Sequence, residues 1–262
     1  MNTSPPGRFY FWGERALYVG PDVTATVHAH HAVQVIVPLA GIVRLRPGPR
    51  TRWQLYDGVV VPSNQPHETD PPATLVAALW LEPDTVEAQR LVQPGTDLTA
   101  IPIERLRLSR IVPLLLDCWR QRCDAQRAAA LMDEVMQILA PAPRPRPPPD
   151  ARVARAREIL GSAPDRRIPL AEVAATVSLS PSRLAHLLSA KMGMPARRYL
   201  LWLRLRDAIG ELTRGGSITE AAHAAGFADA AHLSRTFRRM LGFTPSTALR
   251  LSKFVQDAGA GR

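Results

Sequence analysis

The chain is poor in cysteine and nearly devoid of lysine. Only Cys118 and Cys123 occur among 262 residues. Their spacing is not the C-x-x-C of a redox or zinc site. They read as two reduced thiols of a cytosolic protein, pointing in different directions on a helix. No apolar run approaches the ~18 residues of a membrane span. The longest, Leu75–Leu81, has seven. The opening residues, MNTSPPGRFYFW, lack the basic and then apolar segments of a secretory leader. The expectation is a cytoplasmic protein with no membrane partner.

Acid is missing from one part of the chain. Residues 141–262 carry 20 Lys and Arg against 9 Asp and Glu, whereas residues 1–140 carry 13 Arg against 14 acids. The formal charge of +10 therefore belongs entirely to the second part. A basic segment joined to a neutral one suggests that the first binds a polyanion and the second does something else. Arg outnumbers Lys 31 to 2, so part of this is compositional habit, but habit alone would not spare residues 1–140.

A linker is visible where the charge changes. Residues 141–149 read PAPRPRPPP, which cannot pack as helix or central strand and is expected to form a semi-stiff spacer. Before it, residues 8–100 read as short strands bounded by Pro and Gly. Val27–Val37, Gly41–Leu45, Arg52–Val61 with a turn at Asp57-Gly58, and Leu75–Leu81 suggest a small barrel or sandwich. Residues 103–140 then switch to helical periodicity, with Leu108, Ile111, Leu115 and Trp119 on one face and Leu131, Val135, Ile138 and Leu139 on another. Two such helices either cover the strands or dimerise the protein.

Beyond the linker the pattern is all helix, and it repeats. Leu170, Val173, Ala174 and Val177 recur at i, i+3, i+4, i+7. A turn at Ser178-Leu179-Ser180 follows, and Pro181 begins a helix that buries Leu184, Leu187, Leu188 and Met192. A long helix runs from about Ala196 to Thr213. The second copy opens with the capping box Ser217-Ile-Thr-Glu220. It turns at Gly226-Phe227, and Asp229 caps a helix burying Leu233, Phe237 and Met240. Ile218 lies 48 positions after Leu170, Leu233 lies 49 after Leu184, and Pro245 lies 50 after Pro195.

A short helix packed steeply on a second one presents that second helix outward, and such a helix fits the ~12 Å major groove of DNA. Its outer face must then carry donors and small apolar groups. In the first unit that face holds Ser182, Ala185, His186 and Ser189, with Arg183 beside it. In the second it holds Ala231, His232, Arg235 and Arg239, with Arg238 beside it. No Asp or Glu occurs from Ser182 to Leu205 or from Ala230 to Val255. Exposed Arg on a helix is ordinarily solvated surface; two copies with acid-free second helices favour double-stranded DNA as the partner.

Residues 152–252 resemble the DNA-binding domain of the AraC/XylS family of bacterial regulators. The stretches that carry the likeness are Leu170–Val177, SPSRLAHLL (Ser180–Leu188), Gly193-Met-Pro195, LRLRDAIGEL (Leu203–Leu212) and, most specifically, ITEAAHAAGFADAAHLSRTFRRMLGFTP (Ile218–Pro245). The resemblance implies base-facing roles for Ser182, Ala185 and His186 from the first unit, and for Ala230, Ala231, His232 and Arg235 from the second. Charge and position add Arg183, Lys191, Arg238 and Arg239 as phosphate contacts. The chain departs from the family pattern at Ser178, where Gly is usual, at Leu188 for Phe and at Ala248 for Tyr. Base reading is therefore expected to lean on the second unit.

Residues ~10–100 resemble the small cupin-like barrel that serves such regulators as a sensor. HAHHAVQVIVPLAG (His28–Gly41) and DGVVVPSNQPH (Asp57–His67) carry that likeness. In metal cupins an H-x-H, a Glu and a later His hold the ion. Here His28, His30 and His67 fit, but Gln34 stands where the Glu is expected, and no metal or cofactor is assigned. A pocket for a small-molecule effector would draw on His28, His30, Trp53, Tyr56, His67 and Trp80.

The expected fold is α+β multidomain. Residues 1–140 form a cupin-like sensor or dimerisation β-barrel with two following helices, and residues 141–150 are the Pro-rich linker. Residues 151–253 form an all-α DNA-binding domain with two helix-turn-helix units joined by a long helix. The expected function is an effector-responsive, sequence-specific transcription regulator, not an enzyme. A homodimer and, for an activator, RNA polymerase are the further partners. The alternative is a cupin-type metal-dependent oxygenase fused to a DNA-binding module.

Overall fold

The structure, a computed structural model, describes residues 6–70, 73, 75–92, 100–140, 150–162 and 168–255. The Pro-rich linker at 141–149 lies outside the described residues. By its contacts the chain divides into two units. One holds residues 1–143, 213–215 and 237–262, and the other residues 144–212 and 216–236.

The first unit is built on two sheets rather than one closed ring. A seven-stranded sheet has the order β10-β7-β4-β9-β2-β1-β11, and a four-stranded sheet the order β3-β8-β5-β6. The strands are β1 (Gly7–Phe11), β2 (Arg15–Gly20), β3 (Ala25–His28), β4 (Val33–Ala40), β5 (Val43–Arg46), β6 (Gln54–Tyr56), β7 (Val59–Val61), β8 (His67–Asp70), β9 (Leu75–Leu81), β10 (Ile101–Pro102) and β11 (Ser252–Val255). The run expected as one strand, Val27–Val37, is two. The chain leaves the four-stranded sheet after His28 and enters the seven-stranded sheet at Val33. The Asp57-Gly58 turn likewise passes the chain between sheets, since β6 pairs with β5 and β7 with β4. A Cβ on Gly58 would lie 2.7 Å from Leu108 Cδ2, so any other residue in this turn would have to push the Leu108 side chain aside.

Strand alternation divides the core in two. Leu17, Val19, Val35, Val37, Val60, Leu79 and Leu81 share one apolar cluster with Leu108, Ile111, Leu115, Met132, Val135 and Leu139. These last belong to helices α2 (Arg105–Gln121) and α3 (Ala125–Leu139); a shorter helix, α1 (Val86–Leu91), precedes them. The two helices therefore cover the sheet. Tyr18, Ile36, Val59, Val61, Val76 and Ala78 point the other way and cluster with Val43 and Leu45 of the second sheet. Strand β4 is buried on both faces up to its last residue, which is why VQVIVPLA reads as an almost unbroken apolar run.

The cysteines do not diverge as helical spacing suggested. Arg122 takes a left-handed conformation (φ 52°) and ends α2, which folds Cys123 back so that its amide donates to the Cys118 carbonyl at 3.2 Å. Both thiols are buried and free. Burial, reinforced by Cys123, pushes the Cys118 thiol up to about 12, so it is inert as a nucleophile.

The remaining helices are α4 (Ala151–Ser162), α5 (Leu170–Thr176), α6 (Pro181–Met192), α7 (Ala196–Thr213), α8 (Ile218–Ala224), α9 (Ala230–Leu241) and α10 (Pro245–Leu251). In α7 the residues expected inward, Trp202, Leu205, Ile209 and Leu212, are all buried. Strand β11, unforeseen in the sequence, lies parallel to β1 with Phe9 opposite Phe254.

Candidate functional site

The two helix-turn-helix units have the same backbone construction. In the first, α5 ends at Val177, Ser178 adopts φ +56°, and the Leu179 amide donates back to the Ala174 carbonyl at 2.9 Å. In the second, Gly226 adopts φ +72° and the Phe227 amide donates to the Ala222 carbonyl at 2.8 Å. Each atom pair lies 48 residues from its counterpart. The single-residue insertion falls next, between this turn and the cap. The Ser180 hydroxyl accepts from the Arg183 amide at 3.2 Å, and the Asp229 carboxylate from the His232 amide at 2.6 Å. From the caps onward the offset is 49. The capping box at Ser217 is complete, with both reciprocal hydrogen bonds made.

This register aligns the candidate readers. Ser182 matches Ala231, Arg183 matches His232, and His186 matches Arg235. Ser182, Arg183, His186 and Lys191 are exposed in and around α6, and Ala185 is half-buried. In α9, Ala231, Arg235, Arg238 and Arg239 are exposed, while Ala230 and His232 are half-buried. The opposite sides bury Leu184, Leu188 and Met192 in α6, and Leu233, Phe237 and Met240 in α9. His232 differs from its partner Arg183: its ring meets Phe227 edge-on at 5.2 Å. It thus packs on the turn as well as lying on the reader face.

The first unit holds a second constellation. His28 on β3, His30 just beyond it and His67 on β8 are 6%, 2% and 1% exposed, and their candidate ligand nitrogens all lie within 4.8 Å of one another. Each Nδ1 donates to a backbone carbonyl: His28 to Thr26 at 2.8 Å, His30 to Ala32 at 2.8 Å and His67 to Gln65 at 2.9 Å. Gln34 on β4 shares a sheet face with Ile36. Its Oε1 stands 3.1 Å from His30 Nε2 and 3.0 Å from His67 Nε2. Burial, with His30 nearby, pushes His28 down to about 3, and burial beside His28 and His30 lowers His67 as well; both are neutral imidazoles.

The expected pocket residues separate here. Trp80 is opposite Gln34 in the register and packs with Phe9 and Tyr56 on the apolar cluster between the sheets. Trp53 does not join them. It is stacked by the guanidinium groups of Arg44 and Arg46, at 5.0 and 4.4 Å, on the opposite face of β5 from Val43 and Leu45. Sequence reasoning also passed over buried His31 and Glu82, which approach to 3.9 Å. Their signal was burial itself, which isolated polar residues in apolar strands do not announce.

A family model described as a helix-turn-helix domain matches residues 173–250, the span that holds both readers. These residues form a helix-turn-helix domain of the AraC type. No curated protein matches it. Among solved structures, the chain is similar to apo ToxT of Vibrio cholerae, at 12% identity over 91% of this chain and 97% of that one, with a TM-score of 0.60. ToxT with an unsaturated fatty acid bound aligns at 12% identity, covering 98% and 100%, with a TM-score of 0.56. An AraC-type regulator structure from Chromobacterium violaceum aligns at 25% identity over 42% of this chain and 96% of that one, with a TM-score of 0.37. The ToxT likeness is one of fold. A sheet-rich N-terminal part and a helical C-terminal part are common to both.

Proposed function

We propose that the chain is a sequence-specific transcription regulator that reads duplex DNA with α6 and α9 and responds to a small ligand held by the N-terminal sheets. The observation that carries this reading is the repeated turn. Two units with matching backbone hydrogen bonds each present an acid-free outer helix face, and His186 and Arg235 are exposed at the same position of their respective helices. Arg235 suits bidentate donation to a guanine, whereas His186 offers one weaker contact. Arg183, Lys191, Arg238 and Arg239 are assigned to phosphates, and Ser182, Ala185, Ala230, Ala231 and His232 to base edges. Residues 1–140 are assigned as the sensor, residues 141–150 as linker and residues 151–253 as the DNA-binding domain.

Support for a ligand-responsive sensor comes from the buried polar residues between two apolar sheets. ToxT, of the same fold, has been seen with an unsaturated fatty acid bound. The test is selection of duplexes from a random pool by the full chain, followed by affinity measurement on the enriched sequence. A shared sequence motif bound ~10³-fold or more above random duplex is expected. Equal affinity for all duplexes would overturn the reading.

A further inference from the structure

The N-terminal strands carry a charge asymmetry that their own ion pairs do not cancel. Residues 42–56, IVRLRPGPRTRWQLY, hold four arginines and no acid. The remainder of residues 1–140 holds 9 Arg against 14 Asp and Glu. A half that is acidic elsewhere thus gathers positive charge on one hairpin, made of β5, β6 and the loop between them.

The hairpin has a neutral base and a cationic tip. At the base, Arg44 and Arg46 pair with Asp70 and Glu68 on β8 at 3.0 and 2.7 Å, and both stack on Trp53. At the tip, residues 48–51 close a tight turn. The Thr51 amide and hydroxyl donate to the Gly48 carbonyl at 3.1 and 2.7 Å, and the hydroxyl accepts from the Gly48 amide at 3.2 Å. Arg46 ties the turn to its strand by donating to the Pro49 carbonyl at 3.1 Å. Pro49 fixes its own φ as well. Arg50 and Arg52 stand exposed on this frame. Neither makes an ion pair among the described residues. Ordering a cationic loop on a ligand costs conformational entropy; here the backbone share of that cost is incurred when the hairpin folds.

The tip suits a phosphate backbone better than a protein surface. Protein interfaces are anchored by aromatic or aliphatic side chains that fill pockets. The exposed residues of the tip are Pro49, Arg50, Thr51 and Arg52, and Trp53 is already stacked by two guanidinium groups. A guanidinium fits phosphate oxygens with a planar fork of donors, and phosphate contacts need no apolar anchor. Because hairpin and readers share one chain, a duplex held by the readers meets the hairpin intramolecularly, where two contacts are enough to matter.

We propose that the β5–β6 hairpin is an accessory DNA-binding element, in which Arg50 and Arg52 hold phosphates of the duplex flanking the bases read by α6 and α9. This rests on reading the chain as a DNA-binding regulator and adds a contact outside its two helix-turn-helix units.

The test compares the full chain with its Arg50→Gln/Arg52→Gln variant on the selected site. The site is set either in a duplex of ~20 base pairs, enough for two readers one turn apart, or in the middle of one about three times as long. Arg110→Gln/Arg120→Gln makes the same charge change at exposed positions of α2 and controls for long-range attraction. The unaltered chain should bind the long duplex ~3–10-fold more tightly than the short one at low salt, with a log–log salt slope steeper by about 1–2, as one or two further phosphates require. The hairpin variant should lose that advantage and the added slope, yet keep its affinity for the short duplex and its base preference. The α2 variant should keep all of them.

No length advantage in the unaltered chain, or an equal advantage in all three proteins, overturns the proposal. Equal losses in the two variants overturn it too, because they would reflect net charge and not contact. Poly-glutamate bound more tightly than random duplex of equal charge, and weakened by the hairpin variant alone, would assign the hairpin to an acidic protein instead. If no duplex is bound specifically, the regulator reading fails. The hairpin is then decided on random duplex at low salt: a loss confined to the hairpin variant supports the phosphate contact, and equal affinity in all three proteins overturns it.

Discussion

Ser178 is the clearest energetic flaw in the DNA-binding domain, and replacing it should stabilise the protein. It holds φ +56° where the second unit has Gly226 at +72°. A non-glycine residue in the left-handed region costs ~1–2 kcal/mol. Glycine removes that cost but adds ~0.4–1 kcal/mol of chain entropy in the unfolded state. The balance for Ser178→Gly is a gain of about 0.5–1 kcal/mol. Ser178 is exposed, so the change deletes no buried contact. In a helical unit of this size the gain corresponds to roughly 3–6 °C in Tm. Calorimetry of the full chain at fixed salt and pH reads it directly. Ser178→Ala, still an L-residue, should give no such gain. The mirror change Gly226→Ser should lower Tm by a similar amount. An unchanged or lower Tm for Ser178→Gly, or an equal gain for Ser178→Ala, would refute the backbone argument.

Other outcomes follow from the same geometry. Arg235→Ala should weaken binding to the selected duplex by about 1–3 kcal/mol and relax preference at one base position. His186→Ala should cost less, and the reverse order in an anisotropy titration would show that the first unit dominates. Log K should fall with log salt at a slope of about −5 to −7 for ~5–8 phosphate contacts; a slope near −2 would contradict phosphate-driven affinity. Asp22 is a half-buried carboxyl pushed up to about 6, chiefly by loss of hydration, despite accepting the Val23 amide at 2.8 Å. Its folded pKa lies above the unfolded ~3.9. The ionised form therefore destabilises the protein above pH 6, and the penalty disappears as pH falls through 6 toward 4. Asp22→Asn should accordingly raise stability by on the order of 2 kcal/mol at pH 7.5 and by little at pH 4.5 in denaturant titrations.

The helical part was the more legible. Its signals are local: Pro181 after a Ser cap, the capping box at Ser217, and apolar residues at i, i+3, i+4, i+7, each acting within one or two turns of chain. Long helix α7 was bounded at Ala196 and Thr213 from periodicity alone. The sheets were less legible because strand pairing is a long-range fact. Nothing in Val27–Val37 marks the point at which the chain leaves one sheet and enters the other, and the four residues of β11 carry too little pattern to announce a partner 245 positions away. The cysteines were misplaced because Arg122, an ordinary residue for a helix, adopts φ 52° and reverses the chain.

The candidate site divided in the same way. The reader faces follow from helical spacing and were nameable residue by residue, although the packing of His232 on Phe227 was not. The histidines were nameable, but their chemistry was not: it depends on which ring nitrogen meets a carbonyl, and that is decided by backbone atoms of Thr26, Ala32 and Gln65. Trp53 was placed with them on residue type, whereas strand alternation sets it on the outer face with Arg44 and Arg46.

The tandem readers are tested most directly by base-preference profiling of the full chain beside its His186→Ala and Arg235→Ala variants. Each variant should lose discrimination at its own position within a single site, the two positions lying about one helical turn, ~10 base pairs, apart. Loss at the same base pair in both variants, or in neither, would contradict two helices reading one duplex.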